Sequence, residues 1–186
     1  MNDQHETGMI GYVSFLRGLN LIGGNRILRG ELHAVFNRMG FRDVYTYMDS
    51  GNLRDSSDIK NDDVISSLIE SNLYKNFGQE IQVITRPYDY LEKLAERNPF
   101  GKYSKLKDGH FYISFLQQPA KLTLKLPYRN QEGSLEIPLS TKREIFCVVR
   151  PGMDHLEQDA IISIENLIGR DSATRKWETV LKILSE

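Results

Sequence analysis

The first half of the chain alternates short apolar runs with apolar residues at helical spacing, three and four positions apart. The elements predicted in this half are a strand at Tyr12–Leu16, a helix over Leu28–Met39, a strand at Val44–Met48, a helix that Asn61 or Asp62 caps and that runs to Phe77, and a strand at Ile81–Arg86. Leu53–Ser57 stands where a third strand belongs, but its polar residues leave that strand undecided. With it, the order is β-α-β-β-α-β, the ferredoxin-like or split βαβ unit.

The second half again mixes helices and strands. The elements predicted here are a helix that Pro87 opens, a strand at His110–Leu116, a hairpin of Leu135–Leu139 with Ile145–Val149, a long helix through Ala160 and Ile168 to Gly169, and a last helix that Thr174 caps, with Trp177, Val180, Leu181 and Leu184 on one face. Lys121–Leu126 fits either a short strand or a helical turn. No internal sequence repeat is apparent.

These patterns predict an α+β protein of two small domains. Residues 1–8 are polar and are expected to form a mobile tail. We expect an N-terminal ferredoxin-like subdomain at residues 9–86 and a C-terminal α+β subdomain at 87–186, because 186 residues suffice for two small cores.

Composition excludes several classes of protein. Lys and Arg number 24 against 25 Asp and Glu, so the chain lacks the basic charge of a dedicated nucleic-acid binder, and nucleic acid is an unexpected partner. A single cysteine, Cys147, excludes a disulfide scaffold and a cysteine-rich zinc site. The four histidines show no metal-ligand spacing, so neither a metal nor a cofactor is predicted. No run approaches the ~20 apolar residues of a membrane helix, and no signal segment opens the chain, which favours a cytoplasmic protein.

The segment Arg17–Asn25 (RGLNLIGGN) lies between a predicted strand and a predicted helix. Glycines there allow positive φ angles and let backbone N–H groups converge on an anion, and Arg17 adds a planar cation. The segment is neither a Walker loop nor a dinucleotide fingerprint. The simpler interpretation is a tight turn with Arg17 ion-paired at the surface.

Three other polar segments fit either a ligand or a simpler structural role. Ser50-Gly51-Asn52 is a second candidate corner, although a hairpin turn also explains it. Thr174-Arg175-Lys176-Trp177 opens the predicted last helix, where Arg175 needs an anionic partner and Trp177 fits a buried stripe. Lys102–Lys107 interleaves lysines with an aromatic residue, as in a surface that touches a nucleic-acid backbone, or as in an ordinary solvated loop.

The stretch from Tyr12 to Asn52 and the closing SATRKWETVLKI resemble a mainly bacterial family, domain-of-unknown-function family 1697. The resemblance implies two ferredoxin-like subdomains with antiparallel sheets and no established activity. The positions that match its motifs are Arg17, Gly18 and Asn20, with Gly23 and Gly24 following, then Tyr47, Ser50, Gly51 and Asn52, and then Thr174, Arg175, Trp177, Thr179 and Val180. Two departures stand out: the polar Leu53–Ser57 replaces an apolar strand, and Pro151–His155 replaces a lysine-bearing glycine run.

Three functional hypotheses follow. The first is a binding or regulatory module for a small anion, a nucleotide or a phosphorylated molecule at Arg17–Asn25, with Arg175 assisting. The second is an enzyme of unrecognised class that uses polar groups around Arg17, Asn20, Ser50 and Asn52, although no catalytic acid or base is identified. The third is nucleic-acid binding on an open sheet face, with Phe111 and Tyr112 stacking on bases. The oligomeric state is not predicted.

Overall fold

A computed structural model describes residues 8–18, 27–47, 51–107, 109–120, 124–150, 157–169 and 171–185. Its helices and two antiparallel sheets confirm the predicted α+β class. The chain divides into two compact units between Glu92 and Lys93. The predicted tail, apart from Gly8, and residues 121–123 of the undecided Lys121–Leu126 segment lie outside the described residues.

The first unit contains a four-stranded sheet with two helices packed on one face. Its elements are β1 (Ile10–Arg17), α1 (Arg29–Arg38), β2 (Arg42–Tyr47), β3 (Asn52–Ser57), α2 (Asp62–Phe77), β4 (Gln82–Pro87) and α3 (Tyr88–Glu96), which crosses the division. The strand order is β2-β3-β1-β4, with all neighbours antiparallel, which is the order of a split βαβ unit. The core beneath the helices includes Tyr12, Leu16, Phe36, Leu53, Ile69 and Val83.

The two helices of this sheet end as the sequence predicts. The Asn61 side chain caps α2 by accepting hydrogen bonds from the amides of Asp63, at 2.9 Å, and Val64, at 3.3 Å. Gly78 and Gly40 follow α2 and α1 with φ angles of 67° and 86°, a left-handed conformation that costs glycine little.

The undecided segment Leu53–Ser57 belongs to an inner strand. β3 pairs with β1 on one side and with β2 on the other, so its backbone groups are hydrogen-bonded along both edges. Leu53 joins the core under the helices, and the polar residues Asp55 and Ser57 are buried as well. The strand therefore forms through backbone pairing in spite of its polar side chains.

Asp55 is the exceptional residue of this strand. It is 2% exposed and lies opposite Tyr12 in the register of β1 and β3. Among the described residues, neither carboxyl oxygen has a hydrogen-bond partner. Burial raises the pKa of Asp55 to about 8, an effect that the neighbouring Ser14 hydroxyl opposes only in part. Near neutral pH the folded protein therefore holds this side chain as an uncharged acid.

The second unit contains a five-stranded antiparallel sheet. Its elements are a 3₁₀ helix at Gly101–Tyr103, β5 (His110–Leu116), β6 (Tyr128–Arg129), β7 (Leu135–Ser140), β8 (Glu144–Val149), α4 (Glu157–Ile168), β9 (Ser172–Lys176) and α5 (Trp177–Ser185). The strand order is β6-β7-β8-β5-β9. The core on the α4 side contains Tyr112, Ile137, Cys147, Ala160 and Ile164. The predicted hairpin is confirmed as β7 and β8.

The prediction for the C-terminal end was wrong. Thr174 does not cap a helix, because it lies within β9, and α5 begins at Trp177. The buried residues of α5 are Trp177, Val180 and Ile183, whereas Leu181 is 42% exposed. The segment SATRK was not recognised as a strand because its side chains are mostly polar.

The two sheets repeat the same arrangement, which corrects the expectation that the chain has no internal repeat. β1 and β5 occupy equivalent positions, and Tyr12–Leu16 (YVSFL) corresponds to Tyr112–Leu116 (YISFL). Each of these two inner strands carries a buried serine whose hydroxyl is hydrogen-bonded to a threonine hydroxyl on the neighbouring edge strand. These pairs are Ser14 with Thr85, at 3.0 Å, and Ser114 with Thr174, at 2.8 Å.

The repeat continues into the following residue. An arginine comes directly after each threonine, and its Nη1 atom donates a hydrogen bond to the threonine carbonyl oxygen. The distances are 2.8 Å for Arg86 and 2.9 Å for Arg175. Helices α3 and α5 begin within two residues of these arginines, each with an aromatic residue at its first position.

Those first aromatic residues also have equivalent partners. Tyr88, which opens α3, lies under the guanidinium of Arg54, 4.5 Å from its ring centroid. Trp177, which opens α5, meets the ring of Phe146 edge-on at 6.1 Å. Arg54 and Phe146 occupy the same place in their sheets, opposite Val13 and Ile113 respectively. Both units therefore have a contact between the first residue of the helix and the same sheet position, but it is a cation–π contact in the first unit and an edge-on aromatic contact in the second.

The outer edge of the first sheet is covered by side chains of α2. The Val83 amide of edge strand β4 donates to Oε1 of Glu70 at 2.8 Å, and the Thr85 amide donates to the Ser66 hydroxyl at 3.0 Å. The helix thus supplies acceptors that a further strand would otherwise provide.

Replacing Asp55 by Asn should flatten the dependence of stability on pH. Between its ordinary pKa of 3.8 and about 8, Asp55 is ionised in the unfolded chain and protonated in the folded one, so unfolding releases a proton. As the pH rises through that window, the free energy of unfolding of the wild type should therefore fall by about 1.4 kcal/mol per pH unit relative to that of Asp55→Asn. Urea unfolding at pH 5, 7 and 9 measures the difference. Exposed Asp58→Asn is the control, and parallel curves for wild type and Asp55→Asn would contradict the prediction.

A double-mutant cycle should reveal the hydroxyl pair of the second sheet. Ser114→Ala and Thr174→Val each leave a buried hydroxyl without its partner, at a cost of about 1–3 kcal/mol. The double variant should cost less than the sum, with a coupling of about 1 kcal/mol. The same cycle at Ser14 and Thr85 should give a coupling of the same sign. Strictly additive losses in chemical denaturation would mean that the two hydroxyls do not act as a pair.

Candidate functional site

The predicted binding segment begins where β1 ends. Arg17 is the last residue of β1, and Gly18 follows it with a φ angle of 79°. The candidate residues Asn20, Gly23, Gly24, Asn25 and Ser50 lie outside the described residues.

The register of the first sheet brings the second candidate turn to the same end of β1. The Leu16 amide donates a hydrogen bond to the carbonyl oxygen of Gly51 at 2.7 Å. Asn52 lies opposite Phe15 of β1 and opposite Tyr47 at the end of β2. Sequence spacing did not decide whether this turn falls at the end that bears Arg17, and the register shows that it does. We call Arg17, Gly18, Tyr47, Gly51 and Asn52 the Arg17 corner.

The Arg17 corner combines buried and accessible groups. Arg17 is half-buried and Gly18 is exposed, whereas Tyr47 and Asn52 are buried. Gly18 and Gly51 both have positive φ angles, 79° and 71°, which turn the backbone sharply at the ends of their strands. The side chains of this corner supply hydrogen-bond donors and one permanent positive charge.

The start of α1, the next described helix after β1, already has an acceptor. The Leu28 amide donates to the carboxylate of Glu31 at 2.8 Å, so one of the donors at this helix start is satisfied by the chain itself.

The other predicted site residues lie in the second unit. The Thr174 hydroxyl is hydrogen-bonded to Ser114, and the Arg175 guanidinium donates to the Thr174 carbonyl. The Trp177 ring packs edge-on against Phe100, with centroids 5.7 Å apart. These contacts give all three residues a structural role, and a ligand contact by any of them stays a prediction.

The one cysteine is unsuited to nucleophilic catalysis. Cys147 is fully buried beneath α4, and burial raises the pKa of its thiol. It lies opposite Tyr112 in the sheet, whereas exposed His110 lies opposite Val149. Among the residues that the structure describes, no group of three or more His, Cys, Asp or Glu could hold a metal ion. No helix in the same part of the chain is long and apolar enough to cross a membrane.

The aromatic residues proposed to stack on bases are engaged within the fold. Tyr112 is 1% exposed in the core on the α4 side. Phe111, on the opposite face of β5, packs against Phe100 with ring centroids 4.8 Å apart, and against Tyr103 at 6.5 Å. These two residues therefore do not form an open platform for nucleic-acid bases.

Sequence reasoning did not identify a charged cluster in the second unit. Tyr103, Arg129 and Arg150 all donate hydrogen bonds to the carboxylate of Glu136. The four residues come from four separate segments of the chain, and Glu136 within an apolar strand was the local signal of a buried charge.

Comparison with known proteins places this fold. A family model described as "Protein of unknown function (DUF1697)" matches residues 9–146. The chain belongs to this family. A similar solved structure is that of the conserved bacterial protein SP0830 from Streptococcus pneumoniae. It is 18% identical, with 96% of this DUF1697 chain and 98% of that chain covered and a TM-score of 0.69, a likeness that establishes the fold. None of the curated proteins compared with the sequence matches it.

Proposed function

We propose that this DUF1697 protein is a binding module for a small anionic ligand, such as a phosphorylated metabolite or nucleotide, held at the Arg17 corner. The observation that carries the proposal is the hydrogen bond between Leu16 and Gly51, which places Gly51 and Asn52 at the same end of the sheet as the end of β1. Arg17 and Gly51, 34 positions apart in sequence, thus come to the same end of the sheet.

The chemistry of this corner suits binding better than catalysis. A guanidinium offers paired N–H donors that match the oxygens of phosphate or carboxylate. Gly18 and Gly51 let the backbone turn so that amides near the strand ends converge on an anion. Tyr47 and Asn52 are buried and add neither a strong acid nor a strong base to the corner. The enzyme hypothesis remains without a specific observation in its favour.

The proposal does not require Arg175. Its guanidinium already contacts the main chain of its own strand, just as Arg86 does at the equivalent place in the first sheet. Arg175 also lies in the second unit, so the positive charge of the Arg17 corner comes from Arg17 alone.

The test is a calorimetric titration of pyrophosphate and a nucleoside diphosphate at low salt. Arg17→Ala should weaken binding at this site by about tenfold or more, since hydrogen bonds between charged groups contribute about 1.5–3 kcal/mol. Raising the salt should weaken binding by the wild type, because Arg17 is only half-buried.

The matched control is Arg42→Ala. Arg42 is exposed and begins β2, at the opposite end of that strand from Tyr47, so the substitution removes the same charge away from the Arg17 corner. It should leave the affinity at the corner nearly unchanged. Equal affinities for wild type, Arg17→Ala and Arg42→Ala, or no binding by any of them, would refute the proposal.

A further inference from the structure

The charged cluster around Glu136 is built from two strands, the residue that follows a third strand, and the 3₁₀ helix. We call Tyr103, Arg129, Glu136 and Arg150 the Glu136 cluster. Arg129 lies directly opposite Glu136 in the register of β6 and β7, and its Nη2 atom donates to Oε2 at 2.8 Å. Arg150 follows β8, and its Nη2 atom donates to the same oxygen at 2.7 Å. The Tyr103 hydroxyl donates to the other oxygen, Oε1.

The cluster carries two positive charges against one negative charge. Burial opposes ionisation of Glu136, but hydrogen bonds from Tyr103, Arg150 and Arg129 lower its pKa to about 2. Burial, together with the hydrogen bond to this carboxylate, raises the pKa of Tyr103 to about 12, so the phenol stays neutral. Both guanidinium groups are permanently charged. At neutral pH one positive charge is therefore left unbalanced within the cluster.

The two arginines also keep unused hydrogen-bond donors. Within the part of the chain that the structure describes, Glu136 is the one ion-pair partner of both guanidinium groups. Each uses one nitrogen for it, and the Nε atom of Arg150 is buried with no hydrogen-bond partner among the described residues. The Arg129 side chain is 56% exposed and that of Arg150 is 28% exposed, so both are reached from solvent.

A lysine-rich segment is anchored at the same place. Tyr103 belongs to the Lys102–Lys107 segment, and its hydrogen bond to Glu136 fixes this segment beside the two arginines. Lys102, Lys105 and Lys107 are exposed. A buried carboxylate thus organises a surface on which cationic groups predominate.

We propose that the Glu136 cluster is a second anion site, which binds a phosphate group through Arg129 and Arg150. Glu136 acts as the template that orients the two guanidinium groups, and the lysines of Lys102–Lys107 attract the ligand. Phosphate fits because its several oxygens can accept hydrogen bonds from two planar guanidinium groups at once. The phosphate belongs either to a small molecule or to a nucleic-acid backbone. This site lies in the second unit and does not depend on the function proposed for the Arg17 corner.

Titration of pyrophosphate into the full-length protein tests the proposal. If both sites exist, the wild type should bind two equivalents, whereas Arg129→Gln and Arg150→Gln should each lower the affinity of one equivalent by about tenfold. Arg129→Gln is the safer variant for folding, because its side chain is more than half exposed. Exposed Arg97→Gln, in the same unit, removes the same charge and should leave both equivalents intact.

The variants separate this inference from the proposed function. Arg17→Ala should remove only the first equivalent and Arg129→Gln only the second, so either site can fail alone. NMR shifts of the arginine Nε–H signals on adding pyrophosphate should identify Arg129 and Arg150 directly, even where a variant is unstable. A wild type whose bound pyrophosphate is insensitive to Arg129→Gln and Arg150→Gln, with unshifted Nε–H signals, would show that the cluster is only an internal ion-pair network.

A second titration, with a short oligonucleotide, distinguishes a nucleic-acid phosphate from the phosphate of a small molecule. A short oligothymidylate offers several phosphates along one backbone, and its binding should be stronger than that of pyrophosphate and steeply salt-dependent if the lysine segment follows a nucleic-acid strand. Weaker binding than pyrophosphate would assign the site to small phosphorylated molecules. Binding of neither probe at low salt would overturn the proposal.

Discussion

In each sheet, a serine hydroxyl is buried on an inner strand and must find a partner within the protein. A buried hydroxyl without a hydrogen bond destabilises the fold by a few kcal/mol, so its partner constrains the neighbouring strand. Ser14 is bonded to Thr85 and Ser114 to Thr174, and each pair fits only the observed register of β4 on β1 and of β9 on β5, because a shift by one residue would turn the threonine to the other face. The arginine and the helix start that follow each threonine keep the same spacing from this contact in both units.

Helices, and strands that are apolar on one face, were predictable from sequence. Apolar spacing locates α1, α2 and α4, and Asn61 and Gly78 mark the ends of α2 as local chemistry requires. β3 and β9 were not predictable in the same way. Their backbones pair with strands that are distant in sequence, β1 for β3 and β5 for β9, and a sequence pattern contains no information about those partners. The same reason explains the wrong assignment of Thr174 as a helix cap.

The candidate site was predictable in its residue types and not in its assembly. Arg17 and its glycines were apparent as a strand-to-helix loop, and Asn52 as part of a turn. Their meeting depends on the β1–β3 register, which follows from backbone pairing and not from side-chain type. Arg175 was expected to need an anionic partner because it was assigned to a helix start, whereas it lies within β9 and its guanidinium donates to the Thr174 carbonyl oxygen. The Glu136 cluster was hidden because its members come from separate elements.

The side chains that α2 places over the rim of β4 tie the solubility of the first unit to the integrity of one helix. While α2 is folded, the Val83 and Thr85 amides are occupied, and another chain cannot extend the sheet through these donors. An opening of α2 that released both donors would also expose Ile65, Ile69 and Leu73, which are fully buried in the core. Intermolecular strand pairing on this side therefore requires that the helix leave the sheet, and the packing of α2 protects this edge against it.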